Sequence, residues 1–380
     1  MRIGVDCRSL QEPQPSGVSV YTRELLKAML ALEEAKEHEF VFFANERALK
    51  DDADAFAKLQ KGLTGNNITW NIKTVPEKLI TGLEIISSRP GMKWMFGNVD
   101  IVFVPSMQFF PLRDRSVPMV VTIHDLSFER YPECLSLKGR WWHRLLQTRR
   151  FAHRADSIIA VSEHTRQDIE TLYHVQPSRV TTVYPGLPIY DANGEKGATL
   201  DLPDQYVLSL STVEPRKNID TLLQAFSMLK KKHPKLHLVI VGAEGWKSEP
   251  LIKRIALDPR IRHYGYVDQK TKVRLIQSAS VFVYPSLYEG FGFPPLEAQS
   301  YDIPVLVGAH SSLPEVLEDS ALYADVLDAR SLSRGIDHLL TNGQLREALI
   351  AKGSENIRRF SWETTARKTF DIIQKTAKKE

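Results

Sequence analysis

The stretch "VFVYPSLYEGFGFPPLEAQS", residues 281–300, holds a complete strand–loop–helix unit. "VFVYPS" (281–286) is a continuous apolar run. That is the pattern of a strand covered on both faces, and so of a parallel sheet. The loop after it carries Gly290 and Gly292, which can take positive φ and expose successive N–H groups to an anion. Pro294 or Pro295 suits the first helical position. Glu297 then falls in the first turn of the helix and Glu289 in the loop before it. An acid near a helix N-terminus can simply serve the dipole. That accounts for Glu297 alone, but not for a second acid, two glycines and paired prolines together.

The same unit recurs along the chain. Strands are expected at 2–6, 39–44, 100–105, 118–125, 156–162 and 179–185, then at 206–212, 236–242, 261–265, 281–286 and 304–308. Most are continuous rather than alternating. Helical stripes fill the gaps: Tyr21, Leu25, Ala28, Met29 and Leu32 in one, and Ile219, Leu222, Leu223, Phe226 and Leu229 in another, with Asn218 as its N-cap. Such β-α alternation predicts an α/β fold of doubly wound parallel sheets. "GLPIYDANGEKGATLDLPDQ" (186–205), rich in Gly, Pro and Asp and without a period, reads as a linker. The expected organisation is an N-terminal Rossmann-like domain over 1–185, the linker, a second Rossmann-like domain over 206–360, and a helix over 361–380 packing back on the first domain. Two such sheets facing each other make a cleft, with ligands beyond the carboxyl ends of the strands.

Composition narrows the class. The 380 residues are 43% hydrophobic and 25% charged, ordinary for a globular protein. A net charge of +4 suits an anionic ligand or a membrane surface and is too weak to argue for nucleic acid. The two cysteines, Cys7 and Cys134, stand far apart, which argues against a disulfide framework or a structural zinc site. No secretory signal and no spanning run is read, so a cytoplasmic protein is expected.

Four loops gather the polar chemistry. "QPSGVSVY" (14–21) offers Gly17 for close backbone approach, hydroxyls from Ser16 and Ser19, and the N–H groups of the following helix. His124 and Asp125 follow directly on a strand; the histidine is either a satisfied core residue or a site group. "EPRKN" (214–218) puts Arg216 and Lys217 at a strand-to-helix turn, where a guanidinium fork and a point charge suit a diphosphate. The opening stretch supplies Glu289 and Glu297, and carboxylates are good acceptors for pairs of sugar hydroxyls. A diphosphate with a sugar at each end fits all of these: a nucleotide-sugar.

These residues resemble glycosyltransferase family 4, retaining enzymes of the GT-B fold. "YEGFGFPPLEAQS", with "IPVL" and "SSLPEVL", resembles the Glu-x7-Glu signature of that family. "EPRKN" resembles its phosphate-binding Arg/Lys motif, and "SGVSVYTREL", "VTIHDLSFERYPE" and "TVYPG" resemble its N-terminal half. The resemblance covers 1–370 and, within the family, is strongest to bacterial mannosyltransferases of O-antigen and capsule assembly. It implies that Glu297 binds the ribose and that Glu289 faces the hexose. It implies that Gly290, Phe291, Gly292 and Phe293 contact hexose and phosphate through their backbone. Arg216 and Lys217 would neutralise the departing diphosphate, His124 would meet the transferred sugar, Gly17 would line the phosphate, and the base would be gripped near Val267. The implied reaction is retaining transfer of a hexose from GDP-mannose or a UDP-sugar to a glycan or lipid-linked acceptor, with no metal and no further cofactor. The turn "LSLSTV" departs from the family, where many members have a glycine.

Other readings lead elsewhere. A GT-B epimerase would use the same nucleotide site with acid/base carboxylates beside the sugar. A dinucleotide oxidoreductase predicts G-x-G-x-x-G after the first strand, which "DCRSLQEPQPSG" does not supply. A non-catalytic sugar-nucleotide-binding module sits poorly with intact "EPRKN" and both acids. Finally, "KGRWWHRLLQTRRFAHR" (138–154) is basic with interleaved aromatics. It reads either as an ordinary amphipathic helix or as a peripheral contact with the inner membrane.

Overall fold

The structure, a computed structural model, describes residues 1–12, 14–46, 54–73, 91–108, 110–188 and 201–378. Most of the expected linker, 189–200, and the last two residues of the expected C-terminal helix lie outside the described residues.

The described strands form two parallel sheets. The first takes β1 (Arg2–Asp6), β2 (Glu39–Asn45), β3 (Ile68–Lys73), β4 (Ile101–Val104), β5 (Met119–Ile123), β6 (Ser157–Ala160) and β7 (Val180–Thr182), in the order 3-2-1-4-5-6-7. The second takes β8 (Tyr206–Leu210), β9 (His237–Val241), β10 (Ile261–His263), β11 (Val281–Tyr284), β12 (Val305–Gly308) and β13 (Leu322–Ala324), in the order 10-9-8-11-12-13. Each is a doubly wound sheet whose strand order reverses once, between β1 and β4 and between β8 and β11. β11 is buried along its whole length and pairs β8 through Val281 with Val207 and Phe282 with Leu208.

Two strands, β3 and β13, have no sequence signal. Both are edge strands, and their residues are mostly half-buried rather than buried. A strand with one free edge and one partly wet face need not be a continuous apolar run, so the pattern that finds central strands misses it.

The chain divides into two compact units. One contains Met1–Leu126, Trp141–Gly186 and Phe360–Glu380; the other contains Ser127–Arg140 and Leu187–Arg359. In the first unit the helix Trp362–Ala377 buries Thr365, Ala366, Phe370 and Ile373 and packs on the helix Gly17–Leu30. Thr365 Oγ1 donates to Tyr184 O at 2.8 Å, and Tyr21 and Trp362 meet edge to face. In the second unit the helix Ile219–Leu229 buries Ile219, Leu222, Leu223, Phe226 and Leu229 in the apolar core.

Asn218 holds the N-cap position of that helix, as expected, but without the side-chain capping bond. Asn218 precedes the helix but sits in the left-handed region at φ 55°, and its side chain takes no helical N–H. Its amide donates instead to Val326 O at 2.7 Å and Pro285 O at 3.2 Å, and its oxygen accepts from Thr221 at 2.6 Å. Asparagine tolerates this backbone. Here it ties the turn after β8 to the end of β11 rather than capping.

Candidate active site

The switch point of the second sheet brings two loops together. After β8 the chain makes a short turn, Pro215–Lys217. After β11 it runs through Pro285–Gly292 into the helix Phe293–Gln299. Leu287 N donates to Arg216 O at 2.8 Å, and Arg216 Nη1 donates to Tyr288 O at 2.7 Å, so the loops are joined through main chain and side chain.

Four charged side chains meet there. Lys217 Nζ lies 2.5 Å from Glu289 Oε1 and donates to Tyr284 Oη at 3.0 Å. Arg216 Nη2 lies 2.9 Å from Glu214 Oε1, and Arg216 Nη1 lies 3.5 Å from Glu289 Oε2. Ser286 Oγ donates to Glu289 Oε1. Glu214, Lys217 and Glu289 are all buried. The backbone of Glu289 is fixed from the far side, its N–H donating to Ser311 Oγ at 3.1 Å and its carbonyl accepting from Ser312 Oγ at 3.0 Å.

The cluster holds two cations and two carboxylates, and its electrostatics follow from that. Burial alone raises the Glu289 carboxyl, but Lys217 and Arg216 outweigh it and hold its pKa at about 2. Burial, with repulsion from Arg216, lowers the Lys217 ammonium below its ordinary value, and Glu289 works against that shift. Glu214 is raised, by burial first, against the pull of Arg216 and Lys217.

Glu297 lies apart from this cluster. The helix starts at Phe293, after Gly292, so Pro294 is its second residue and Glu297 its fifth. This corrects the placement of Glu297 in the first turn. The earlier start costs little, because a proline's missing N–H is no loss among the first helical residues, whose N–H groups have no partner within the helix. Glu297 is buried, and Lys272 Nζ from the helix Gln269–Gln277 lies 2.9 Å from both its oxygens, with hydrogen-bond geometry to Oε1 only. Gly292 has φ 101°, and a Cβ there would lie 2.8 Å from Leu313. Gly290 does not adopt positive φ, so the paired-glycine expectation holds for one position only. Phe291 is buried and meets half-buried Phe293 edge to face at 5.1 Å. Val267 lies half-buried in the loop between β10 and the helix Gln269–Gln277.

Gly17 and His124 belong to the first unit. His124 directly follows β5. Its Nε2 is 2.8 Å from Pro105 O and must donate, since a carbonyl only accepts; the neutral ring then presents Nδ1 as an acceptor. Burial lowers its pKa, against the backbone hydrogen bond and Asp125, so the neutral form prevails at pH 7. The ring stands edge-on to Tyr21 at 4.7 Å. Gly17 opens the helix Gly17–Leu30, and a Cβ there would meet nothing within 4 Å. The hydroxyls expected to serve a ligand are used locally. Ser16 Oγ accepts from Ser19 N at 3.2 Å, and Ser19 Oγ accepts from Ser16 N at 2.8 Å and donates to Ser16 O at 3.0 Å. This reciprocal cap satisfies the helix end.

The residues that sequence reasoning passed over are Glu214, Lys272, Tyr284 and Ser286. Glu214 opens "EPRKN" and sits at a strand's carboxyl end, which is a usable signal. Lys272 lies in a helix with Lys270 and Arg274 and had none. Among the described residues no group of three or more His, Cys, Asp or Glu side chains is placed to hold a metal ion, and no helix is long and apolar enough to cross a membrane.

Sequence comparison decides the family. The family model for "Glycosyltransferase Family 4" matches residues 15–189, and that for "Glycosyl transferases group 1" matches 195–356. The O-antigen chain mannosyltransferase B of Escherichia coli is 32% identical over 279 residues, covering 70% of this chain and 72% of the relative. The chain belongs to glycosyltransferase family 4. As a glycosyltransferase it has the expected two-sheet GT-B architecture. Sucrose-phosphate synthase from Thermosynechococcus elongatus superposes with a TM-score of 0.74 at 20% identity, covering 99% of this chain and 98% of that one. The crystal structure of Anabaena Alr3699/HepE in complex with UDP and glucose superposes with a TM-score of 0.68 at 16% identity, covering 99% of this chain and 100% of that one.

Proposed function

We propose that this glycosyltransferase moves a hexose from a nucleoside-diphosphate donor to a glycan or lipid-linked acceptor of a cell-surface polysaccharide, in the cytoplasm. Mannose from GDP-mannose is the first choice, from the name of the E. coli relative. A UDP-hexose is the second, from the UDP and glucose named for the HepE structure. The observation that carries the reading is the Arg216–Lys217–Glu289 cluster at the β8/β11 switch point, where an open α/β sheet takes its ligand.

Breaking the sugar–phosphate bond builds negative charge on the diphosphate and positive character on the sugar. Arg216 and Lys217 are already oriented, so they stabilise the leaving group without reorganisation. Glu289, beside them, accepts hexose hydroxyls, while Glu297, held by Lys272, accepts from the ribose. Gly290–Phe293 contact hexose and phosphate, and the backbone near Val267 holds the base. His124 offers its Nδ1 to the transferred sugar, and Gly17 lines the phosphate. Both oxygens of Glu289 face cations, Oε1 Lys217 and Oε2 Arg216, which disfavours Glu289 as the covalent partner of a double displacement. Retention then comes from same-face substitution, the departing phosphate helping to deprotonate the acceptor. The two cations do the neutralising, so neither metal nor added cofactor is required.

The test is incubation with GDP-mannose, UDP-glucose and a polyprenyl-linked glycan, with the product linkage read by NMR. An α-linked mannose from the α-linked donor supports the reading. A β-linked product ends the retaining assignment, and transfer from neither donor ends the hexose assignment.

A further inference from the structure

The turn after β12 breaks two local rules at adjacent residues. Ser311 sits in the left-handed region at φ 54°, which a residue with a Cβ seldom adopts. Ser312 holds the N-cap position of the short helix Leu313–Leu317, yet its side chain takes no N–H of that helix. A glycine at the first position, and a hydroxyl turned towards the helix at the second, would satisfy the local backbone.

Both hydroxyls serve a different loop instead. Ser311 Oγ accepts from Glu289 N at 3.1 Å. Ser312 Oγ shares its proton between Glu289 O at 3.0 Å and Phe291 O at 2.9 Å. His310, the residue before them, adds a third tie, its Nε2 donating to Ser286 O at 2.8 Å. Ser286 in turn donates to the Glu289 carboxylate. Consecutive side chains after β12 thus grip the main chain after β11, its neighbour in the sheet. Strained backbone persists where its surroundings hold it, and such places gather at functional sites.

We propose that Ser311, with His310 and Ser312 beside it, is a positioning residue that sets where Glu289 meets the hexose, and so which epimer is accepted. This rests on the assignment of the hexose to Glu289. Lys217, Arg216 and Ser286 hold the carboxylate end of that residue, and the turn after β12 holds its backbone end. A carboxylate fixed at both ends has one position to offer a pair of sugar hydroxyls. With the backbone end released it follows the cations alone, and the match to one epimer is lost.

The test compares Ser311→Gly with Ser311→Ala. Both lose the hydroxyl, but only glycine relieves the backbone, so Ser311→Gly should melt about 2–4 °C above Ser311→Ala. Both should exchange the amide hydrogens of 287–291 about tenfold faster than the wild type. Both should lower kcat about tenfold and narrow the preference between GDP-mannose and GDP-glucose, with affinity for free GDP kept within about twofold. A purely structural role makes every loss follow the melting temperature, with Ser311→Ala impaired and Ser311→Gly like the wild type; that result overturns the proposal. Unchanged amide exchange in both variants overturns it as well. Glu289→Ala in the same assay separates the two readings. If it alters the epimer preference while the serine variants do not, the positioning role fails and the hexose assignment stands. If Glu289→Ala keeps the preference, the hexose assignment fails and this proposal with it.

Discussion

Lys217 Nζ lies 2.5 Å from Glu289 Oε1, although 72 residues separate the two in sequence. Both side chains are buried, where an isolated ammonium or carboxylate is strongly disfavoured. Each makes the charge of the other tenable, and Tyr284 and Ser286 supply the remaining hydrogen bonds. The sheet topology explains the meeting: β8 and β11 are neighbours, and the residues belong to the loops at their carboxyl ends. A pre-paired cation is held in place but not exhausted. On the proposed reading, a diphosphate draws on the same charge while Glu289 accepts from a hexose hydroxyl.

The first prediction concerns the cations. Arg216→Ala and Lys217→Ala should each lower kcat by about a hundredfold or more, with a smaller effect on donor affinity, because their charge matters most as the bond breaks. Steady-state kinetics separates the cases. A raised KM with unchanged kcat would make them simple binding groups. Lys217→Ala should also lower stability by about 3–5 kcal/mol, since it strips a buried carboxylate of its partner. Lys217→Arg should recover part of that loss.

The second prediction is a pH dependence. The Glu289 carboxyl falls from an ordinary 4.5 to about 2 in the fold. A depressed acid contributes stability that is complete above its unfolded value and is lost as pH falls through its folded value. The window therefore runs from 4.5 down to about 2. Across it the wild-type melting temperature should fall more steeply than that of Glu289→Gln, which has nothing there to titrate. Glu214 is shifted the other way by burial. It takes up a proton more readily folded than unfolded, so acid favours the fold through this group as pH falls towards 4.5 from above, and in that range, not below it, Glu214→Gln should forgo the gain that the wild type shows. A Glu289→Gln curve parallel to the wild type below pH 4.5, or a Glu214→Gln curve parallel to it above 4.5, would contradict the corresponding assignment.

What the sequence disclosed tracks burial. Central strands such as β11 announce themselves because both faces are covered. The edge strands β3 and β13 do not, because their residues are mostly half-buried rather than buried. The residues of the candidate site were marked by position: "EPRKN" and "LYEGFGF" each follow a central strand. Their partnerships were not. Spacing within 281–300 could not show that Glu289 pairs with Lys217 and Glu297 with Lys272, since those contacts depend on which strands become neighbours and how the helix Gln269–Gln277 packs. Local backbone was also hidden. Asn218 looked like a cap, and only the tertiary carbonyls of Val326 and Pro285 explain why its side chain points elsewhere.

The third prediction is that transfer survives a chelator. Arg216 and Lys217 already place two positive charges at the position proposed for the leaving diphosphate, which is the role a divalent ion would otherwise fill. Activity after EDTA treatment should match the untreated enzyme within about twofold. Abolition by EDTA with restoration by Mn²⁺ or Mg²⁺ would refute the metal-free mechanism.

The fourth prediction sets the two acids against each other. Glu289 neutralises the cations proposed to hold the diphosphate. Glu289→Ala should leave nucleoside-diphosphate affinity unchanged or raise it several-fold, because it removes a negative charge beside a phosphate site. Transfer should nevertheless fall about a hundredfold, since a hexose without its acceptor loses its near-attack position. Discrimination between hexose epimers should weaken as well. Glu297 is held by Lys272 and lies apart from that cluster. Glu297→Gln should cost about 1.5–3 kcal/mol of nucleotide affinity, the worth of a charged hydrogen bond, roughly ten- to a hundredfold. Its hexose preference should remain. Calorimetry with the free diphosphate and kinetics with two epimeric donors read both quantities. If the two variants lose the same quantity to the same degree, the acids share one job, and the division of ribose to Glu297 and hexose to Glu289 is wrong.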